Sequence, residues 1–408
     1  MVLINRPNKR GQIQNFPDVS LSRFAFWAIV AIAIMYIPLA ITYMWFVFDP
    51  GAPRIQEAVN TAINGRDYAV GPTTLASVRD ADYHRHAFVM TLHTVGGSVA
   101  LILALLQFAS PLRRRFPKLH RWTGRVYLPI MTASMLAAIA FLTLTSTIPY
   151  RSGAAFRLQL WALAVGTLAS AWYAFVAIRR RDVFRHQAFM AINLSLMMAT
   201  PLLRVVLIGL APVLPDATEL TNLGVSSVTL GTPAVAAAAV AFMLTQARTV
   251  HPRNFQGTPG KMTTYLGLVL ASVIGGLLLL WRQQPLTADG VPQSYVVFHL
   301  IPAGGYVLIC LAGSLRARSA GNNGREQQWR VLLCGAAVGS LSAFLTGLFV
   351  SVVYGPLEGF IAGLMLGPTM PIATTLCVLI VQSVRTRSRA HGPSASKLIP
   401  DPKSAVAH

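Results

Sequence analysis

Ten mostly apolar stretches, at 24–48, 88–110, 126–148, 158–178, 188–214, 227–246, 263–281, 293–315, 331–354 and 360–381, follow one another with short polar gaps. A bilayer core takes about 20 apolar residues as helix. Lipid offers backbone groups no water, so each stretch must satisfy its own hydrogen bonds as a helix. The expected fold is therefore all-α: a polytopic integral membrane helical bundle of about ten transmembrane helices. Composition agrees, with 54% hydrophobic residues, 12% charged and a mean hydropathy of +0.55.

The formal charge of +21 raises nucleic-acid binding as a question. That function needs a basic patch on a soluble domain, whereas here the cations sit in short loops between apolar runs, so no nucleic acid is expected. Summed over alternate gaps, Lys and Arg number 26 on one side and 7 on the other, with Arg204 inside a helix. By the positive-inside rule the richer side is cytoplasmic. This places both termini of the multi-pass chain in the cytoplasm.

The chain divides into a cytoplasmic N-terminus with a first helix (1–50), an external loop (51–87), a four-helix histidine-bearing module (88–214), a five-helix bundle (215–382) and a cytoplasmic tail expected to be disordered (383–408). The external loop lacks clear periodicity and reads as a lid or a connector. Small residues every fourth position are expected packing seams: Gly335, Gly339, Ala343, Gly347 and Ser351; Gly267, Ala271 and Gly275; Gly363 and Gly367. Cys310, Cys334 and Cys377 form no metal-ligand or disulfide pattern.

Soluble-enzyme motifs are missing. Gly257 to Thr263 reads GTPGKMT, without the spacing of a phosphate-binding loop, and there is no HExxH or GxSxG. No catalytic residue is assigned, and whether the chain is an enzyme stays open. All 13 Asp and Glu are expected in loops or tails, which leaves no carboxylate in the membrane to relay protons. Histidine and arginine remain. At 1.5 Å per helical residue, His93 and His299 fall at a similar depth below the outer surface, and Arg204 reaches that depth from the other direction. His120 and His186 stand at the cytoplasmic ends of the third and fifth segments.

Two histidine layers suit a transmembrane electron-transfer protein, with imidazoles from two helices on each haem iron and arginines on the propionates. In this reading haem b is the candidate cofactor. His120 pairs with His186 inside, His93 pairs with His299 or His86 outside, and Arg113, Arg115, Arg121 and Arg125 lie near the inner propionates. The alternative for each histidine is an interfacial or packing role. Arg204, costly to bury, needs an anionic partner such as a bound carboxylate, a haem propionate or a quinone oxygen, or else snorkels to the surface.

The order His93, Gln107-Phe108, then His120-Arg121-Trp122-Thr123-Gly124-Arg125-Val126-Tyr127, Arg185-His186 and Arg204 resembles the bacterial membrane-protein family catalogued as domain of unknown function 2306. HRWTGRVY is close to that family's His-Arg-x-x-Gly-Arg-x-Tyr. After His186 the chain departs from the family pattern, with Gln187, Ala188, Phe189, Met190 and Ala191 where the family has Arg-Trp-Met-x-Arg. The resemblance spans about 88 to 210 and implies a four-helix membrane module with His93, His120, Arg125, His186 and Arg204 as candidate site residues; it implies no reaction. The module also looks like di-haem cytochromes b, but segment 158–178 carries Trp161, Trp172 and Tyr173 and no histidine.

Three functions are weighed: a haem-binding or redox protein; a non-catalytic transporter of a small anionic or lipophilic molecule held by Arg204, His93 or His299; and an assembly scaffold. The halves differ in histidine content and show neither an inverted repeat nor paired Gly/Pro breaks, which counts against transport. The lipid bilayer is the one sure partner.

Overall fold

The computed structural model describes residues 19–148, 152–249, 258–288 and 291–390. The N-terminal stretch expected in the cytoplasm, up to residue 18, and the tail from residue 391 lie outside the described residues. Every regular element among the described residues is a helix. In order they are α1 (Val19–Thr42), α2 (Ile55–Asn64), α3 (Arg66–Ala69), α4 (Leu75–Arg85), α5 (Ala87–Phe108), α6 (Ser110–Arg115), α7 (Pro117–Leu144), α8 (Gly153–Arg179), α9 (Val183–Met197) and α10 (Ala199–Leu210). There follow α11 (Glu219–Thr229), α12 (Pro233–Thr249), α13 (Met262–Ala288), α14 (Ser294–Ser319), α15 (Asn323–Ala337), α16 (Gly339–Leu366) and α17 (Thr369–Ala390).

Nine described segments are long and apolar enough to cross a membrane, and the last of them, Asn323–Val384, has 62 residues. A helix that long would span a bilayer about three times over, so it folds back. Gly355 breaks α16 with φ +83° and ψ 166°, followed by Pro356. Beyond it, a side chain at Gly363 would meet Gly347 Cα at 2.7 Å, and one at Gly359 would collide with Ser351. The arms 339–354 and 356–366 are thus an antiparallel hairpin, and the expected ten passes are recovered.

Several passes are broken within the membrane. Pro201 lacks the N–H that would bond the Met197 carbonyl, and α9 gives way to α10 at Met198. Pro233 and Pro368 act alike between α11 and α12 and between α16 and α17. The fourth break, at Val338, precedes Gly339-Ser340, a pair of weak helix formers. Most of the glycine seams form as expected: Gly335 lies against α17, with Pro371 O 2.7 Å from a built Cβ, and Gly275 lies 2.6 Å by the same measure from Leu341 N of α16. Gly267 faces open space instead.

The stretch expected as an external loop contains the helices α2 to α4, and α17 runs helically to Ala390. One expectation needs correction: the acids are not confined to loops. Glu219 opens α11 and is buried, Glu326 in α15 is fully buried, and Glu358 lies in the second arm of α16. Apolar averaging had started those helices too late, because a buried acid with donors around it lowers local hydropathy without ending a helix. Glu358 accepts the Ala155 N–H at 3.0 Å at the start of α8, and Glu219 accepts the Leu75 N–H at 2.9 Å at the start of α4. Both satisfy donors that a helix N-terminus leaves free. The expected division near residue 215 is no gap in packing, since one core joins Ala188 of α9 to Val235 and Phe242 of α12 and to Leu332 of α15.

Candidate functional site beneath the helical cap

Helices α2 to α4 form a cap over the ends of α1, α5, α7, α8 and α10, and beneath it lies a cavity of about 200 Å³. Its walls are mainly apolar, including Leu101, Phe141, Leu163 and Leu203. Its polar groups converge from several elements: Tyr36 from α1 and Tyr43 just past its end, Arg79 and Tyr83 from α4, His93 from α5, Thr200 and Arg204 from α10. A mostly apolar chamber with a few placed polar groups is the usual form of a small-molecule site.

Most of these groups are tied in place. Arg79, 5% exposed, donates from Nη1 to Asp82 Oδ2 at 2.6 Å and to the Ser146 carbonyl at 2.9 Å. The Tyr43 and Tyr83 hydroxyls are hydrogen-bonded at 3.0 Å. Burial pushes the Tyr83 phenol well above its ordinary range, and Tyr43 adds to the shift, so Tyr83 stays protonated. His93 Nδ1 lies 3.2 Å from the Ser134 carbonyl; in the neutral ring that bond fixes the proton on Nδ1 and leaves Nε2 an acceptor.

Arg204 is different. Its guanidinium carbon sits 5.5 Å from the Tyr43 ring centre, within Coulomb range of Tyr36, Tyr83 and Glu219, but Nη1 is sealed from solvent and has no hydrogen-bond partner. A buried charged donor left unpaired is strongly unfavourable. The carboxylate of Glu219 does not pair it, being occupied by Leu75 N and Asn60 Nδ2.

Of the residues singled out by sequence, His93 and Arg204 share this cavity; His120, Arg125, His186 and His299 do not line it. His299, 1% exposed, sits between the Leu364 carbonyl and Ser340 Oγ, each at 3.3 Å, and belongs to the C-terminal helices. The outer pairing of His93 with His299 is therefore not brought together: similar depth in two helices does not make them neighbours. His86 caps α5, with its ring 6.3 Å from that of Phe141. At the opposite, basic end, His120 is within Coulomb range of His186 and of Arg113. His186 Nδ1 is 3.0 Å from the Ala174 carbonyl, while the buried His120 Nδ1 has no partner. Arg125 is exposed and stacks over Trp122 at 5.5 Å.

The HRWTGRVY stretch is mainly a packing knot. Gln107 Nε2 donates to the His120 carbonyl at 3.1 Å and also to Thr123, and a side chain at Gly124 would press on Gln107 Oε1 at 3.4 Å. Tyr127 donates to Asn193, whose Nδ2 donates to the Thr167 carbonyl at 2.7 Å. One buried asparagine thus ties α7, α8 and α9 together.

Sequence reasoning missed Tyr36, Tyr43, Arg79, Tyr83 and Glu219. Tyr36 and Tyr43 had a usable signal, a seven-residue spacing that would put both on one face of a continuous helix. Arg79 and Tyr83 lie in a polar stretch that carried none.

The helices define a polytopic α-helical membrane protein, with a mainly apolar cavity near one end. Residues 90–245, from α5 into α12, match the family described as Predicted membrane protein (DUF2306). No curated protein and no solved structure matches the chain.

Proposed function

We propose that the protein is a non-catalytic membrane protein that binds a small molecule with an anionic or acceptor-rich head and an apolar body in the capped cavity. The observation that carries this reading is the unpartnered Nη1 of Arg204 at the edge of a mainly apolar chamber. A carboxylate, sulfonate or quinone oxygen would complete that group, with His93 Nε2 and the tyrosines fixing orientation, while the alkyl or ring body fills the apolar walls. The excess of Lys and Arg at the far end supports a cytoplasmic basic face, cytoplasmic termini and a cap on the outer side of a bacterial inner membrane.

Thermal unfolding of the purified chain in mild detergent, with and without octanesulfonate, tests the reading. A rise in melting temperature that disappears in Arg204→Ala supports it. No shift with octanesulfonate, decanoate or a short-chain quinone removes it.

A b-type haem at the basic end is the second reading, favoured by the closeness of His120 and His186 beside Arg113. Imidazoles from two helices are the ligand set such a haem takes, and the arginines would meet its propionates. Oxidised and dithionite-reduced spectra after haem-supplemented expression decide it: a reduced band lost in His120→Ala or His186→Ala supports it, and a featureless spectrum ends it.

A further inference from the structure

Two parts of the chain repeat each other at a shift of 140 residues. Helices α8 and α14 both end on a residue with positive φ, Arg181 at 60° and Gly321 at 67°. Arg181 N–H bonds the Ile178 carbonyl at 3.0 Å, and Gly321 N–H bonds the Arg318 carbonyl at 2.9 Å. Asp182 N–H bonds Ala177, and Asn322 N–H bonds Ala317, both at 2.9 Å. Asp182 then accepts the Arg185 N–H at 2.9 Å, and Asn322 accepts the Arg325 N–H at 3.0 Å. The helices that follow, α9 and α15, each have 15 residues and break at Met198 and Val338.

The next pass also breaks in both copies, at 230–232 and at 367–368. These two breaks meet: Thr369 Oγ1 donates to the Gly231 carbonyl at 2.9 Å, and a side chain at Gly231 would lie 2.7 Å from the Met365 carbonyl. Three passes lie between α8 and α14, so the copies cross the membrane in the same direction. Paired breaks, which the sequence had not revealed, are therefore present, in parallel rather than inverted copies. Such repeats, with discontinuous helices meeting near the membrane centre, are the architecture of many carriers.

Of the two copies only the first carries the buried arginine, since Phe344 stands where Arg204 does. A second chamber of about 60 Å³, lined by Gln159, Thr200, Gly231, Met365 and Thr369, lies at the seam between the copies and shares Thr200 and Leu203 with the capped cavity. At the basic end of the second copy, a buried cluster ties α13, α14 and α15 together. Glu326 Oε1 accepts from Gly260 N at 2.8 Å, from Arg330 Nη1 at 3.0 Å and from Tyr265. Arg318 Nη1 holds the Gly260 carbonyl at 2.7 Å. Buried Oε2 of Glu326 has no partner, so this cluster is incompletely satisfied.

We propose that the chain is a two-copy carrier in which the amphiphile held at Arg204 passes along the seam between the copies, with Met198 and Val338 as matched hinges and the Glu326 cluster as the gate on the basic side. This rests on the ligand-binding reading and adds movement to it.

The test places a cysteine at the junction of the two chambers, Thr200→Cys, in the full chain with Cys310, Cys334 and Cys377 changed to Ala. In vesicles of known orientation, a membrane-impermeant maleimide is added from either face. The expected result is labelling from the cap face, joined by several-fold greater labelling from the basic face once Glu326→Gln is introduced. Arg330→Gln, at the rim of the cluster, carries the same expectation if Glu326→Gln does not elute as a single species. Labelling from the cap face alone, equal with and without the gate substitutions, overturns the carrier. Octanesulfonate stabilisation is measured on the same proteins, so loss of binding with basic-face labelling retained would count against the ligand reading, and the reverse against the carrier alone.

Discussion

Gln159 and His299 do the same job in two places. Gln159 Nε2 bonds the Ser227 carbonyl at 2.9 Å, and His299 Nδ1 lies 3.3 Å from the Leu364 carbonyl. Each carbonyl is orphaned by the helix break just beyond it: Gly231 N–H turns to Val228 at 3.2 Å instead of Ser227, and Pro368 has no N–H for Leu364. Membrane helices tolerate breaks when a neighbour satisfies the freed group, and one side chain from α8 or α14 does so here.

His299→Gln is accordingly expected to be nearly neutral, within about 0.5 kcal/mol, in thermal unfolding and without effect on octanesulfonate binding. His299→Leu, which abandons the carbonyl in lipid, is expected to lower stability by about 1 to 3 kcal/mol. A haem role for His299 would erase that difference, with Gln as damaging as Leu.

Arg204→Ala is expected to weaken octanesulfonate binding by about tenfold or more, the value of a charge-assisted hydrogen bond of about 1.5 to 3 kcal/mol. Unfolding in the absence of ligand should be little changed or slightly improved, because the unpaired Nη1 is removed with the side chain. Calorimetric titration and thermal melts read the two effects separately.

Asp182→Ala and Asn322→Ala remove equivalent helix caps and are each expected to lower stability by about 0.5 to 2 kcal/mol. Close agreement between the two melts is the outcome that duplication requires. A large loss at one and none at the other would mean that the shared geometry is not shared energetics.

Docking of the cap should weaken in strong alkali. Asn222 Nδ2 donates to the Tyr68 hydroxyl at 2.9 Å, and burial raises that phenol to about 12. A folded pKa above the unfolded value of about 10 means that the contribution is intact below pH about 10 and is lost as pH rises toward about 12. Tyr68→Phe should remove this part of the pH dependence in proteolysis of the cap.

Glycine substitutions separate seam from surface. Gly363→Ala, which would press on Gly347 Cα at 2.7 Å, is expected to lower stability by about 1 to 3 kcal/mol. Gly304→Ala, with nothing within 4 Å, is expected to be neutral or stabilising by up to about 1 kcal/mol. Thermal melts of the pair give the comparison.

The ten passes were legible because long apolar runs have few alternatives in lipid. Arg204 was legible for the complementary reason, as a lone charge inside such a run. Glu219 and Glu326 were not, since hydropathy averages a side chain with its neighbours and cannot see the N–H groups that will receive it. The cap was hidden in a polar stretch whose helices are fixed by tertiary contacts such as Glu219 to Leu75. Helix depth put His93 and His299 level but said nothing about which helices adjoin. The duplication was hidden because side chains had diverged, His186 to Glu326 and Arg204 to Phe344, while backbone caps were kept; Asp182 to Arg185 and Asn322 to Arg325 were the readable remnant.

The unsatisfied Nη1 of Arg204 also sets what the chamber rejects. A pure hydrocarbon of the right size would fill the walls and expel water, yet leave a buried charge with nothing to bond. Discrimination then comes from a penalty on the wrong guest as much as from attraction to the right one. In a membrane, where apolar molecules of that size are present in vast excess, a site that was merely greasy would always be full of lipid tails.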